Sequence, residues 1–520
     1  MKKATQGDFC LCSAGWLPCS TLDGKTVQLG LVDALVRAHE VRGLADPSPL
    51  VAAALTRMLL AIVHRSIDGP RSIADWVDLV RQGRLPEAKI VAYLDRVRSR
   101  LNLFDSERPF AQVRGLDVES ADAATLITPR SNWGGGTGLF SHRTEDQPAS
   151  LSPDVAARWL VVRQAFDVGG LVSGRPRSAS AAPLTATAVV LVRGRSLFET
   201  LVGNLLVYAP ERSAPIPGGA DDLPHWEQES PHSRFDSDAE PKRVPRGWLD
   251  ALTWLSRRIE LVAESGRVVG WKKAAWQGVA TEAARDPMVA WISDEKVGWR
   301  AVRIDSARAF WRNSHALFEG MAVAGGVRQR PAVLAQLARR EARAVFPADR
   351  RFTLDVLGMA TAQAAIEMER WDRLEASAAL LADPDAADSV RGGIELAESA
   401  FSALRQGLWA FARHAVAPGG RDPDAEDLRR LIDGLAVGPE YWNACESAFS
   451  HFLERLSSGE KGTALVDLAR RVRRIAETAF DRGVRSLGEN ARMIRAVALA
   501  SSRFRASLAA LLVSKEGVAS

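Results

Sequence analysis

The sequence predicts an α+β protein with a large mixed N-terminal domain, residues 1–364, and a C-terminal antiparallel helical bundle, residues 365–520. Three observations support this fold class. An apolar run at 50–63 predicts a buried helix, and short β-branched segments between 186 and 300 predict antiparallel strands. After residue 363, long amphipathic segments with short connections predict the bundle.

The first half of the chain is predicted to begin with helices. Asp46 to Pro49 supplies a capping side chain and prolines where the buried helix would start. A helix that opens at Ser152-Pro153-Asp154 is expected to end in the glycine-rich segment 168–174, which predicts an irregular loop. A strand is expected at 186–192.

The region after residue 210 is expected to contain a surface loop and then hairpins. Residues 210–245 are rich in Pro, Asp, Ser and Glu, and the histidines in this loop, His225 and His232, are expected to be solvated. Ser265-Gly266 predicts a turn between strands at 258–262 and 268–271. A further hairpin is expected from 286 to 300.

The C-terminal region is predicted to be almost wholly helical. Breaks at Asp383-Pro384, at Pro418-Gly419-Gly420 and at Gly459 separate the candidate helices. These helices are predicted at 363–382, 386–416, 438–457, 461–482 and 487–513.

The composition excludes several classes of protein. Four cysteines in 520 residues are too few for a disulfide scaffold, and Cys10, Cys12 and Cys19 lack the paired spacing of a zinc site. The start, MKKATQGDFC, lacks the apolar core of a signal peptide, and no apolar run approaches the ~20 residues of a membrane span. The sequence therefore predicts a cytoplasmic protein that holds no metal and no other cofactor.

Enzymatic motifs are absent from the sequence, whereas binding chemistry is present. The chain contains no phosphate-binding G-x-x-x-x-G-K-[ST] segment, no H-E-x-x-H pair and no G-x-S-x-G elbow. A glycine-rich loop can bring main-chain N–H groups against a polar ligand. Arg175 and Arg177 beside that loop are candidates for phosphate binding, and Lys272 and Lys273 would lie on a hairpin.

Several segments that follow one another along the chain carry a family resemblance. They are Leu44–Leu50, Leu103–Phe110, Gln164–Phe166 with Gly169-Gly170, Trp248–Trp254 and Asp286–Met288. In this order they resemble the large-subunit (CasA) family of the type I-E CRISPR surveillance complex, Cascade. The resemblance covers essentially the whole chain, including the terminal helices.

The resemblance implies a non-catalytic subunit that binds double-stranded DNA. Such a subunit recognises the protospacer-adjacent motif (PAM) from the minor groove, opens the duplex beside it for pairing with the guide RNA, and recruits a helicase–nuclease. The implied partners are therefore target DNA, the 5′ end of the CRISPR guide RNA, the other Cascade subunits and the helicase–nuclease, with no membrane.

The resemblance also implies three DNA-binding devices. A glycine loop that enters the minor groove corresponds to Val168, Gly169 and Gly170. A lysine finger corresponds to Lys272 or Lys273.

The third implied device is a glutamine wedge that splits the duplex under the last base pair of the motif. It corresponds to Gln363, preceded by Ala362 where family members usually have asparagine. Some members have a zinc-binding cysteine cluster before the lysine finger, but residues 262–273 contain no cysteine, so no zinc is expected there. Without the resemblance, Gln363 would be interpreted as an ordinary polar residue at a helix start.

Two other classes of function remain open from the residues alone. A structural scaffold subunit would use the helical bundle for docking and leave its basic residues solvated. A metal-dependent nuclease is disfavoured, because it needs a cluster of carboxylates or histidines that the sequence does not provide. The net charge of +5, from 68 basic and 63 acidic residues, permits a polyanionic partner without requiring one.

Overall fold

The computed structural model describes most of the chain and divides it into two compact units. The first unit comprises Met1–Phe310, Glu319–Pro347 and Phe352–Arg373, and the second comprises Trp311–Phe318, Ala348–Arg351 and Leu374–Ser520. The described residues are 8–127, 149–208, 221–229, 231, 237–280, 285–294, 298–318, 322–323, 326–362, 365–416, 423–488 and 490–516. Small, mostly antiparallel sheets and a helical C-terminal region confirm the predicted α+β class.

The helices of the first unit include one almost fully buried helix, α2. They are α1 Leu31–Val36, α2 Pro49–Ile67, α3 Ile73–Gln82, α4 Glu87–Val97, α5 Ala124–Ile127, α6 Pro153–Phe166, α7 Leu197–Asn204, α8 Trp248–Leu252 and α9 Ala332–Leu337. Helix α2 packs against α4, α6, α7 and α8. Ser48 precedes α2 in an extended conformation, and Pro49 occupies its first turn as predicted. By length and hydropathy α2 passes as a membrane span, contrary to expectation, yet 83% of its most apolar window is buried inside the protein.

Within the described ranges, the strands form six small sheets. They are β1 Leu17–Thr21, β2 Thr26–Leu29, β3 Val41–Leu44, β4 Ala121–Asp122, β5 Gly170–Leu171, β6 Ser178–Ala179, β7 Val189–Arg193, β8 Lys242–Arg243, β9 Arg257–Glu264, β10 Arg267–Ala275, β11 Gly278–Val279, β12 Trp291–Asp294, β13 Gly298–Ala301, β14 Ala322–Val323, β15 Gly326–Gln329, β16 Arg351–Ala362 and β17 Ala365–Ser377. The sheet orders are β2-β1-β3, β4-β10-β9, β11-β8, β13-β12-β15-β14, β17-β16-β7 and β5-β6.

Two predicted hairpins are confirmed. Strands β9 and β10 pair antiparallel across Ser265 (φ 49°) and Gly266 (φ 77°), and two successive positive φ values match the twist that a two-residue hairpin requires. Strands β12 and β13 form the second hairpin. The strand predicted at 186–192 is also present, slightly later, as β7 Val189–Arg193.

The helix predicted at 363–382 is wrong over most of its length. Residues Ala365–Ser377 form strand β17, and only Ala378–Ala382 is helical, as α10. Strand β17 pairs with β16, which in turn pairs with β7 through register partners such as Leu354 and Val192. Tertiary pairing therefore overrides the helix propensity of this alanine-rich and glutamate-rich segment.

The second unit contains the predicted helical region. After α10 its helices are α11 Ala386–Val416, α12 Ala425–Gly434, α13 Val437–Ser457, α14 Lys461–Arg485 and α15 Ala491–Glu516. Four of them match predicted helices within a few residues, whereas α12 was not predicted. Ring stacking of Phe401 on Tyr441 and of Phe480 on Phe504 fills the interior. The main division of the chain falls between Arg373 and Leu374, later than the predicted 364/365.

The segment expected to be a solvated loop after residue 210 is partly folded. His225 begins a short 3₁₀ helix, His225–Glu227, and its ring lies 5.0 Å from the rings of both Phe110 and Trp226. Burial lowers the pKa of His225 to about 3. The prediction of a solvated His225 is therefore wrong, and His232 lies outside the described residues.

Candidate nucleic-acid interface

The predicted glycine loop is a small β-hairpin, residues 168–180, which we call the glycine hairpin. Helix α6 ends at Phe166, and β5 and β6 then pair with Gly170 opposite Ala179 and Leu171 opposite Ser178. The N–H of Val172 donates to the carbonyl of Arg177 at 2.9 Å. An ordered two-stranded ribbon thus replaces the irregular loop expected from the glycines.

The two adjacent glycines of this hairpin are required for different reasons. A Cβ atom on Gly169 would lie 2.8 Å from the backbone nitrogen of Ala181 and 3.0 Å from the carbonyl oxygen of Ala179, so the two chains could not approach as they do. Gly170 has φ 137°, a conformation that residues with side chains rarely adopt. The bare backbone at 169–170 is therefore a product of local geometry.

A buried ion cluster supports the base of the glycine hairpin. The fully buried carboxylate of Asp167 lies 2.8 Å from Arg163 Nη1, 2.8 Å from Arg257 Nε and 2.9 Å from Lys273 Nζ. One carboxylate thus serves three cations, so this cluster carries two excess positive charges at the base of the hairpin, where the Glu240 carboxylate also accepts from the Ser180 N–H at 2.8 Å. The ring of Trp271 lies 5.1 Å from the Arg163 guanidinium and 5.6 Å from Lys273 Nζ, and its negative face partly offsets that excess.

The pKa values in this cluster reflect the unequal numbers of charges. Burial alone would raise the pKa of Asp167, but the attraction of Lys273, Arg257 and Arg163 outweighs it and holds that pKa well below its ordinary value. Burial lowers the pKa of Lys273 and of Arg163, because their single shared carboxylate does not fully replace lost hydration. The Asp167 carboxylate therefore stays ionised, whereas the buried cations carry most of the desolvation cost of the cluster.

Arg257 also fixes the two ends of the glycine hairpin relative to each other. Its Nη2 donates to the carbonyl oxygen of Val168 at 3.1 Å and to that of Ser180 at 2.7 Å. The N–H of Ala182 and the hydroxyl of Thr185 both donate to the Asp167 carbonyl at 2.9 Å. The hairpin base is consequently held by side chains from β9 and by its own returning strand.

The two candidate lysines lie on opposite faces of β10. Lys273 reaches Asp167, directly before the glycine hairpin. Lys272 points the other way: its Nζ donates to the Leu116 carbonyl at 3.0 Å and lies 3.7 Å from Glu260. The structure therefore brings Lys273, and not Lys272, to the glycine hairpin.

The two candidate phosphate-binding arginines lie on the solvent side of the glycine hairpin. Arg175 is 62% exposed and lies 3.4 Å from Asp238, which is 82% exposed. Arg177 is exposed, and within the described part of the chain its guanidinium makes no hydrogen bond or ion pair. Such solvated guanidinium groups can bind a polyanion without first breaking a strong ion pair.

The predicted wedge residue, Gln363, lies outside the described residues. Ala362 is the exposed last residue of β16, and β17, which pairs with β16, begins at Ala365. The structure gives no contact for the glutamine itself.

A chain of contacts limits the separation between Ala362 and the glycine hairpin. The Thr185 hydroxyl binds the Asp167 carbonyl, and Thr187 lies against Gly358, where its carbonyl oxygen leaves no room for a Cβ. Gly358 precedes Ala362 by four strand residues, about 13 Å. With the two-residue step from Thr185 to Thr187, the whole path from the Asp167 carbonyl to Ala362 is no longer than about 32 Å. One turn of B-DNA is about 34 Å.

Sequence reasoning missed the residues that build the site. Arg163 and Asp167 are spaced i, i+4 at the end of α6, which was a usable signal for an ion pair. The side-chain oxygen of Gln164 accepts hydrogen bonds from the backbone N–H groups of Ser256 and Arg257 at 2.9 Å each, and so joins α6 to β9. No local sequence pattern predicts these hydrogen bonds between Gln164 and the start of β9.

Catalytic chemistry is not evident in the described part of the chain. No group of three or more His, Cys, Asp or Glu side chains there could hold a metal ion. The four cysteines are free, and burial raises the pKa of Cys12, Cys19 and Cys445 to about 12, so these thiols are neutral. The described residues thus form a two-unit α+β protein whose candidate site combines bare main chain at Gly169 and Gly170 with a cluster of cations.

Comparison with known proteins gives the family. The family model of CRISPR-associated protein Cse1 matches residues 11–479, and the chain belongs to this family. It is 32% identical over 506 residues to CRISPR-associated protein CasA/Cse1 of Thermus thermophilus, covering 95% of this chain and 96% of the relative.

Solved structures have the same fold. The structure of Thermus thermophilus CasA (Cse1) matches with a TM-score of 0.80 at 30% identity, over 96% of this chain and 99% of that one. A chain from a CRISPR RNA-guided surveillance complex matches with a TM-score of 0.71 at 22% identity, over 96% and 99%. The family resemblance inferred from the sequence is confirmed.

Proposed function

We propose that this protein is the non-catalytic subunit of a type I-E CRISPR surveillance complex that recognises the PAM in double-stranded DNA. In this role it reads the motif from the minor groove, helps to open the adjacent duplex for guide-RNA pairing and recruits a helicase–nuclease. Its partners are target DNA, guide RNA, the other subunits of the complex and the helicase–nuclease, and it works in the cytoplasm. Membership of the Cse1 family supports this role.

The observation that carries the proposal is the convergence of the glycine hairpin and Lys273 at Asp167. A narrow minor groove accepts bare main chain where a side chain would collide, and it offers mainly acceptor atoms. Gly169 and Gly170 supply that main chain, and the positive charge of Lys273 at the base of the hairpin favours an acceptor-rich groove. Because the groove's edge pattern is degenerate, recognition through it should tolerate several motif sequences.

Opening the duplex requires a second element near the motif. Ala362, the residue before Gln363, lies within about one turn of duplex from Asp167 by the contact path above. A wedge there can offset a few kcal/mol of unstacking per base step with new contacts, without ATP. Alanine at position 362 contributes no amide, so we assign the polar contact to Gln363 alone.

The glycine hairpin provides the test. Complexes assembled with guide RNA and either wild-type chain or Gly169→Ala are compared for binding to closed PAM duplex and to single-stranded target. The variant should lose duplex binding and keep single-strand binding, because its new Cβ displaces the hairpin from Ala181. Gly43→Ala is the matched control, since a Cβ at Gly43 meets nothing within 4 Å. Equal loss of both substrates, or no loss of either, contradicts the proposal.

A further inference from the structure

One apolar side chain projects from the glycine hairpin into solvent. Leu171 is 92% exposed, and the next most exposed large hydrophobic side chain in the described part of the chain is Ile494 at 61%. A single exposed leucine needs no special explanation on an ordinary surface. Its position makes it unusual: it directly follows Gly170, the exposed residue at which the backbone is bare.

The backbone that presents Leu171 is held on both sides. Arg257 binds the carbonyls of Val168 and Ser180 at the base of the hairpin, and the N–H of Val172 binds the Arg177 carbonyl beyond Leu171. The side chain is thus displayed on an ordered ribbon, and little conformational freedom of the backbone remains to be lost when a ligand binds.

The surroundings of Leu171 favour a polyanion as the ligand. Arg175 and Arg177 are both exposed on the same hairpin, and the cluster around Asp167 holds two excess positive charges at its base. The carboxylates of Asp238 on Arg175 and of Glu240 on the Ser180 N–H offset these cations only in part. Proteins that bend or open DNA from the minor groove combine cations with an apolar wedge, often leucine, that enters between base steps. An apolar contact with another protein subunit would not call for this concentration of positive charge.

We propose that Leu171 is a second wedge, which inserts into the minor groove beside the PAM and partly unstacks the neighbouring base step. This inference deepens the proposed function and rests on it. Leu171 enters from the glycine hairpin, while Gln363 acts from between β16 and β17. The role of Leu171 is to lower the cost of the first opened step, and the role of Gln363 is to keep the strands apart.

The test uses the assembled complex and 2-aminopurine placed at the base step next to the PAM. Its variants are Leu171→Ala, the conservative Leu171→Met, and the control Leu22→Ala, which truncates a half-exposed leucine outside the glycine hairpin. Each complex is mixed with closed duplex and with duplex mismatched beside the PAM. Leu171→Ala should reduce the rate of fluorescence increase on closed duplex roughly tenfold, the order of effect expected for removing a buried leucine contact. Leu171→Met should restore most of that rate.

The outcomes separate this inference from the function on which it rests. With pre-opened duplex, Leu171→Ala should change binding less than about twofold, the range expected of a surface substitution. If Leu171→Ala behaves like Leu22→Ala on closed duplex, the wedge is refuted and the proposed function stands. If Leu171→Ala instead fails to assemble with the other subunits, Leu171 is a protein contact and the wedge is equally refuted. If the wild-type complex does not distinguish closed from pre-opened duplex, the proposed function itself fails.

Discussion

The substitution Asp167→Asn should destabilise the first unit and displace the glycine hairpin. It removes the carboxylate that lies within 2.9 Å of Arg163, Arg257 and Lys273, all largely buried. Removing one partner of a buried ion pair costs about 3–5 kcal/mol, because the remaining charge is left without compensation. Here three cations lose their counter-charge, so we expect the upper part of that range.

The stability lost in Asp167→Asn should depend on pH in a defined direction. The folded-state pKa of Asp167 is depressed, so its ionisation stabilises the folded protein above the unfolded-state pKa, about 3.9. That contribution disappears as the pH falls through the folded-state value. The difference in unfolding free energy between wild type and Asp167→Asn should therefore be constant from about pH 8 to pH 5 and shrink below about pH 4.

The assay is denaturant unfolding of the purified chain, followed by a probe in the first unit. Asp78→Asn is the control, because Asp78 is 67% exposed and pairs only with the exposed Arg81, and its effect should stay within about 0.5 kcal/mol. Hydrogen exchange should show loss of protection at the Val172 and Ala182 amides, which are bonded in the hairpin and at its base. If Asp167→Asn matches Asp78→Asn in stability, or its effect does not diminish in acid, the ion cluster does not support the hairpin.

Three further predictions concern DNA binding by the assembled complex. Lys273→Ala should weaken binding of closed PAM duplex about tenfold, whereas Lys272→Ala, on the opposite face of β10, should not. Filter-binding titrations measure both affinities. A larger loss for Lys272→Ala than for Lys273→Ala would be evidence against our assignment. Gln363→Ala should slow strand opening, measured by stopped-flow 2-aminopurine fluorescence, more than it weakens PAM binding. If the substitution changes only the thermal stability of the protein, the wedge role of Gln363 is refuted. Arg177→Ala should reduce the slope of log affinity against log salt by about 1, while Arg71→Ala, 70% exposed and paired with Asp68, should leave it unchanged. An identical slope for both arginine variants would show that Arg177 contacts no phosphate.

Local patterns in the sequence were enough to predict much of the fold. The Ser265-Gly266 turn was predictable because glycine readily adopts the positive φ found at Gly266 and serine is a common turn residue. The long helices α11, α13 and α14 were predictable because their apolar stripes repeat over many turns.

Strand β17 was mispredicted because two local signals conflicted. Its alanine, glutamate and methionine content favours a helix. Glu367, Glu369, Arg373 and Glu375 nevertheless alternate with Ile366 and Leu374, which is the period of a strand. Pairing with β16 decided between the two, and that pairing could not be read from the segment itself.

The candidate site was predictable as a set of segments but not as an arrangement. The glycines and the two lysines were identified from the residues and then given roles by the family resemblance. Asp167, which joins the glycine hairpin to Lys273, binds Arg257 and Lys273 at sequence separations of 90 and 106 residues. Contacts at such distances depend on the packing of α6 against β9 and β10, which no local pattern specifies. The choice between Lys272 and Lys273 likewise follows from the register of β10 with β9.

Binding of closed and pre-opened duplex by complexes with and without this chain tests the central claim most directly. Both complexes carry the same guide RNA, and no nucleotide is added. We predict that the chain is required for binding the closed PAM duplex and dispensable for a duplex already mismatched beside the PAM. If the chain is needed equally for both duplexes, or for neither, then it does not open DNA and the function proposed for it is wrong.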